Sequence, residues 1–300
     1  MPPDKTGGME SYMILDVFLD ALMDCLKDLP FLFAAFLLLE FLEQHVSDKM
    51  NRTLADTADG LGPLAGSLLG CVPQCGFSIM AAELYAGRVI TLGALMAVFL
   101  STSDEALIIL LSNPGHVKEV ATLIATKIII GIIAGYAVLG VETVYRRKKK
   151  LPGRDISDLD EIFGGHEEEG ILKPALLHTA EVALFLFICT FVLNLLMELI
   201  GMQTVSKILL RDTVFQPVVA ALIGLIPNCG ASVILTEFYI DGVISFSSAI
   251  AGLCSSAGLG LLVLFRVNKN RKENLSVVAL LFGIAALAGV ILQMVERIPG

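Results

Sequence analysis

Residues 70–91 read GCVPQCGFSIMAAELYAGRVIT, and residues 224–245 read GLIPNCGASVILTEFYIDGVIS. A constant offset of 154 aligns them without a gap. Nine of the 22 positions are identical: Gly70/Gly224, Pro73/Pro227, Cys75/Cys229, Gly76/Gly230, Ser78/Ser232, Glu83/Glu237, Tyr85/Tyr239, Val89/Val243 and Ile90/Ile244. Random apolar sequence would match at about two. The same offset pairs Pro63 with Pro217, Ser101 with Ser255, Glu119 with Glu273 and Gly135 with Gly289. The chain therefore carries one architecture twice. An N-terminal segment (1–16) leads into a first repeat (17–146), a charged linker (147–170) and a second repeat (171–298).

Composition sets the medium. Of 300 residues, 55% are hydrophobic and 17% charged, against about 25% charged in a soluble domain. Mean hydropathy is +0.78. Such a chain cannot cover itself with polar surface, and it reads as an all-α polytopic integral membrane protein. Lys and Arg number 21 against 30 Asp and Glu, a formal charge of −9, which disfavours nucleic acid as a partner because phosphate binding needs clustered cations. The charges lie in a few places. Residues 151–170 hold seven acids and one Arg, and Arg146 to Lys150 form one basic block. Asp16, Asp20, Asp24 and Asp28 form an acidic stripe on a helix whose other face is apolar. No cleavable signal peptide is legible at the N-terminus. The six Cys (25, 71, 75, 189, 229 and 254) all sit in or beside apolar segments, which is not a secreted disulfide framework.

A membrane helix needs about 20 apolar residues. Stretches 30–46, 89–111 and 119–143 qualify in the first repeat, and 172–200, 243–265 and 275–297 in the second. Segments 63–86 and 217–240 are also apolar, but Pro-Gln-Cys-Gly or Pro-Asn-Cys-Gly cuts each in the middle. Each arm spans about half a bilayer, so these are broken helices or re-entrant hairpins. Loop charge orients the repeats. The block at 146–150 belongs inside by the positive-inside rule. Loop 266–272 has four basic residues and its counterpart 112–118 has one, so corresponding loops fall on opposite sides. That is inverted topology. Its count closes if each repeat has three spans plus one hairpin, or ten spans when hairpin arms are counted separately. A multi-pass protein of the cell (inner) membrane is expected.

Irregular backbone is tolerated in a bilayer only where protein or a cavity surrounds it. Two such breaks at matching places in inverted halves point to a transported substrate near the midplane. The first break offers Cys71, Pro73, Gln74, Cys75, Gly76 and Ser78; the second offers Pro227, Asn228, Cys229, Gly230 and Ser232. Thiols from Cys71, Cys75 and Cys229 suit a soft ion, and the amides and hydroxyls suit a harder one. Alternatively, Pro and Gly only shape the hairpin and Cys packs its tip. Cys25, Cys189 and Cys254 lack symmetric support and read as packing residues. A second polar patch holds Ser101, Thr102, Ser103, Asp104 and Glu105, with Ser255 and Ser256 opposite. Thr102 and Glu105 have capping-box spacing, as if a helix restarts there. Intramembrane carboxylates mark ion paths or proton relays, so Asp104 and Glu105 are candidates for a metal or proton site. Lys127 either pairs with them or snorkels to the interface. Glu83 and Glu237, eight residues beyond Cys75 and Cys229, either anchor the hairpin arms or line an entrance.

The paired Pro-x-Cys-Gly breaks, the Ser-Thr-Ser-Asp-Glu-Ala run at 101–106 and the repeat over nearly the whole chain resemble the ten-span heavy-metal exporter family. Its members carry the labels arsenic efflux permease or manganese transporter, and it is distantly similar to arsenical permeases. The resemblance implies export of a metal or metalloid, either Mn(II) or trivalent arsenic. Without a G-x-x-x-x-G-K-[ST] motif or a hydrolase motif, the chain reads as a secondary active transporter rather than an enzyme, with no cofactor and with protons as the expected coupling ion. Two other readings stay open. One is a carrier of an organic solute or anion held by the same breaks. The other is a thiol oxidoreductase using Cys71 and Cys75. A homodimer is compatible with the sequence, but nothing in it requires one.

Overall fold

The computed structural model describes residues 60–72, 76–102, 106–107, 109–110, 117–149, 172–200 and 215–297, with further helical positions between 15 and 37. Among these residues all regular structure is α-helical. The helices are α1 (60–70), α2 (Gly76–Ala86), α3 (Leu92–Ser101), α4 (Val117–Lys149), α5 (Leu172–Ile200), α6 (Gln216–Gly224), α7 (Cys229–Ile240), α8 (Phe246–Ser255), α9 (Gly260–Val267) and α10 (Arg271–Glu296). Residues 106, 107, 109 and 110 are also helical. The acidic linker lies outside the described residues.

The repeat written in the sequence recurs in the helix bounds. Phe246 follows Leu92, and Ser255 follows Ser101, by 154 residues. Helices α4 and α10 begin at the same offset, at Val117 and Arg271. The caps correspond as well. Thr91 accepts from the Ala94 N–H at 2.9 Å, and Ser245 accepts from the Ser248 N–H at 3.3 Å, each satisfying a donor of the first turn.

Small residues set the packing within each half. Helix α1 lies so close to α3 that a Cβ added at Gly70 would meet Ser101 Oγ at 2.2 Å and Val98 O at 2.6 Å. The counterpart repeats this: a Cβ on Gly224 would meet Gly252 O at 2.0 Å and Ser255 Oγ at 2.3 Å. Helix α3 packs on α4, and α8 packs on both α6 and α10. Leu95, Met96, Phe99, Leu235, Ile250 and Leu281 are fully buried where these helices meet. The outer faces are apolar and exposed, including Ile129, Ile133 and Val141 on α4 and Leu275, Leu287 and Ile291 on α10. This is the surface expected of a protein solvated by lipid. Three helical stretches among the described residues are long and apolar enough to cross a membrane: Glu119–Lys148, Phe246–Val267 and Arg271–Glu296.

The halves interlock. Helix α9 packs on α2, and α8 reaches α3 and α4. Phe18 sets its ring edge-on to Phe187 and Phe191 of α5. At one end of the bundle, Tyr85 Oη donates to Glu273 Oε1 at 2.5 Å, and Arg88 grips the same carboxylate with two bonds of 2.6 and 3.0 Å. The Leu92 N–H there donates to Glu142 at 3.2 Å. At the other end, the Ser247 N–H and Oγ donate to Glu296 at 3.1 and 2.9 Å. Tyr239 there lies within electrostatic reach of Glu119 and Glu296. The start of α10 thus sits with the end of α4, and the start of α4 with the end of α10, so the two helices run antiparallel.

Stretch 243–265 is long and apolar enough to cross, as expected, but it is interrupted: α8 stops at Ser255 and α9 starts at Gly260. Ser255 Oγ turns back to Gly252 O and across to Ala221 O, a local bonding mode that weakens a helix interior. Gly258 then takes a φ of 54°, which ends the helix as a left-handed residue does. Thr102 is the C-cap of α3, its hydroxyl donating to Val98 O at 2.8 Å. Its expected capping-box partner, Glu105, lies outside the described residues.

Two outcomes test this packing by thermal unfolding in detergent. Gly224→Ala overpacks the α6–α8 crossing and costs about 1–3 kcal/mol. Gly283→Ala, with nothing within 4 Å of the new Cβ, gains helix propensity without a clash and raises the midpoint slightly, by about 0.5–1 kcal/mol of stability. Arg88 has a φ of 61° where its counterpart Gly242 has 68°. Arg88→Gly and Arg88→Ala both lose the ion pair, but the glycine variant escapes the left-handed penalty and is the more stable of the two by about 1 kcal/mol.

Candidate functional site

The second break is described most fully. Helix α6 ends at Gly224, residues 225–228 turn, and Asn228 caps α7, its Oδ1 accepting from the Gly230 N–H at 3.2 Å. The Asn228 amide also donates to Asn194 Oδ1 of α5 at 2.6 Å. Asn228 is buried, so both ends of its amide need these partners. Cys229 is the first residue of α7, and Ser232 is buried one turn on. Pro227 precedes the cap within the turn. Together they present the start of a short helix inside the protein, where backbone N–H groups face the break.

In the first break, Cys71 follows α1 directly and is half-buried, Gly76 opens α2, and Ser78 is buried. Pro73, Gln74 and Cys75 lie outside the described residues, as do Ser103, Asp104 and Glu105. Ser78 faces the other half: a Cβ on Gly260 of α9 would fall 2.6 Å from Ser78 O.

Beside the breaks, the ends of α3 and α8 converge. Ser101, Thr102, Ser255 and Ser256 are all buried. Ser101 Oγ donates to Ala97 O at 2.8 Å, and Ser255 Oγ to Ala221 O at 2.6 Å. These hydroxyl protons therefore serve helix carbonyls. Lys127 enters from α4 and is wholly buried. Its Nζ donates to Thr102 O and to Leu253 O, the latter at 2.8 Å. Lys127 does not snorkel. Its ammonium bridges the interrupted helices of both halves.

Cys254, expected to be a packing residue, lies within electrostatic reach of Lys127 and of Cys71. The offset comparison could not find it, because Leu100 stands at the matching position. Asn194 was also missed. A lone amide in an apolar span was the available signal, since polar groups in such segments usually have a partner. Glu83 is buried on α2 within electrostatic reach of Arg266, whereas Glu237 is half-buried. Arg266 pairs with Glu181 and lies 4.9 Å from the centre of the Phe185 ring. Among the described residues no group of three or more His, Cys, Asp or Glu gathers to hold a metal.

This assembly has N–H groups at one helix start and carbonyls at two helix ends, all within the apolar body of the protein. Such ends bind anionic and cationic groups respectively. Comparison with curated proteins and with solved structures finds no match. A family described as "Putative, 10TM heavy-metal exporter" matches residues 13–175 and 177–298. With interrupted apolar helices, a lipid-facing exterior and a match over nearly its whole length, the chain belongs to this family of ten-span membrane transporters.

Proposed function

We propose that the protein is a secondary active exporter of a metal or metalloid ion in the cell (inner) membrane, built from two halves of inverted topology. The antiparallel course of α4 and α10 supports the inversion, because these are corresponding helices of the two repeats. So does the pairing of loop regions: Arg88 meets Glu273 at one end, and Tyr239 approaches Glu119 at the other. Loop charge places 266–272, next to Glu273, inside and 112–118, next to Glu119, outside.

The substrate binds near the midplane between the two Pro-x-Cys-Gly breaks. Cys71, Cys75 and Cys229 supply thiols for a soft or borderline ion, and Gln74, Asn228, Ser78 and Ser232 supply oxygens. Asp104 and Glu105 bind a harder ion or carry the coupling protons, with Lys127, Glu83 and Glu237 as the other titrating groups on the path. The single observation carrying this reading is the convergence of short helix ends from both repeats on one buried locus. That is the arrangement in which discontinuous helices bind ions in transporters.

The test is uptake into inside-out vesicles of Mn(II), Zn(II) and arsenite, with and without a proton gradient. Uptake of one of these is expected, and collapse of the gradient abolishes it. Cys75→Ser and Cys229→Ser each lower uptake of a thiophilic ion by at least about tenfold, the lower end of what disturbing a metal ligand's surroundings costs. Near-normal uptake in both variants removes the thiols from the site. Transport of an organic anion in place of every metal moves the assignment to the amides and helix start.

Asn194→Leu leaves the Asn228 amide without its partner and costs about 1–3 kcal/mol. A lower unfolding midpoint in detergent checks this outcome.

A further inference from the structure

The carbonyls at a helix end have no intrahelical donor. In water, solvent satisfies them; inside an apolar bundle something else must. At the end of α8, the Ser256 N–H returns to Gly252 O and the Ala257 N–H to Ser255 O. Leu253 O is passed over and is taken by Lys127. At the end of α3, the Thr102 N–H closes on Val98 O, and Thr102 O, pointing onward, is also taken by Lys127. Two helix C-termini, each the negative pole of its helix, therefore meet on one ammonium that no solvent reaches.

The matching position in the second half shows what the lysine adds. Leu281 stands there, equally buried, and it carries no charge. The pair of carbonyls with a cation between them is thus a single, asymmetric feature in a duplicated frame. Cys71 and Cys254 are titratable groups within its electrostatic reach.

We propose that Thr102 O and Leu253 O form a monovalent-cation site whose resident occupant is the protein's own Lys127 ammonium. A small free cation, an alkali ion or a short alkylammonium, takes that place when the side chain is cut back. Tethering the cation keeps the site occupied whenever Lys127 is protonated, so the wild-type protein in that form does not respond to sodium or potassium. This inference goes beyond the export reading and does not depend on which cargo is carried.

The experiment measures thermal unfolding of the purified full chain in detergent, titrated at constant ionic strength with sodium, potassium or methylammonium chloride. N-methyl-D-glucamine chloride, too large for the site, is the control. Lys127→Ala unfolds several degrees below wild type. At least one small cation restores part of that loss in a saturable manner, and the wild type does not move. Lys127→Met, which fills the space without a charge, is also lowered but does not respond to any cation. Two results overturn the proposal: a Lys127→Ala protein that responds to no small cation more than to the control, or a Lys127→Met protein as stable as wild type. Where Lys127→Ala cannot be isolated, the Lys127→Met midpoint decides alone. No transport is measured, so the export reading can fail while the cation site stands, and the reverse.

Discussion

A helix that stops inside an apolar layer leaves backbone groups that water would otherwise satisfy, and each unsatisfied group costs several kcal/mol in hydrocarbon. This constraint explains the buried polar chemistry around the interruptions. Asn228 closes the start of α7 and is itself held by Asn194. Ser101 and Ser255 fold back onto carbonyls of the preceding turns. Lys127 meets one carbonyl at the end of each of α3 and α8. A buried charge is expensive unless paired or hydrogen-bonded. Here the two helix poles provide the compensation, which is why a lysine can be wholly buried where its counterpart is leucine.

The same groups explain why the interruptions come in pairs. A break in one half is completed by side chains and backbone from the other: α4 of the first half supplies the ammonium that caps α8 of the second. Helix α9 lies against α2 closely enough that Gly260 and Ser78 O leave no room for a side chain. Lys127 meets Thr102 O within its own half and Leu253 O across the boundary, so folding of the α8 break is tied to association of the halves.

Much of this was legible in the sequence, and the limit has a physical cause. A self-comparison reveals whatever the two halves share. It located the Pro-Asn-Cys-Gly interruption, now seen between α6 and α7, and paired Ser101 with Ser255, which are the last residues of α3 and α8. It is blind to what one half alone possesses. Cys254 and Asn194 have no counterpart with the same chemistry, since Leu100 and Glu40 stand at the matching positions. The second interruption, at 256–259, was read as a continuous span because its residues are small and apolar enough to pass for helix. Its cause is hydroxyls bonding backwards and a left-handed Gly258, neither of which changes hydropathy. Lys127 stood out as a lone charge, but its partners are backbone atoms, which leave no trace in side-chain identity.

The clasp formed by Arg88, Tyr85 and Glu273 has lost its arginine at the matching place in the second repeat, where Gly242 stands. A duplicated frame would resist being prised apart equally from either side. Replacing one guanidinium by a hydrogen atom removes that parity. One end is held by a two-pronged charge pair; at the other, Gly242 supplies no such prongs. A machine made of two near-identical parts thereby acquires a front and a back.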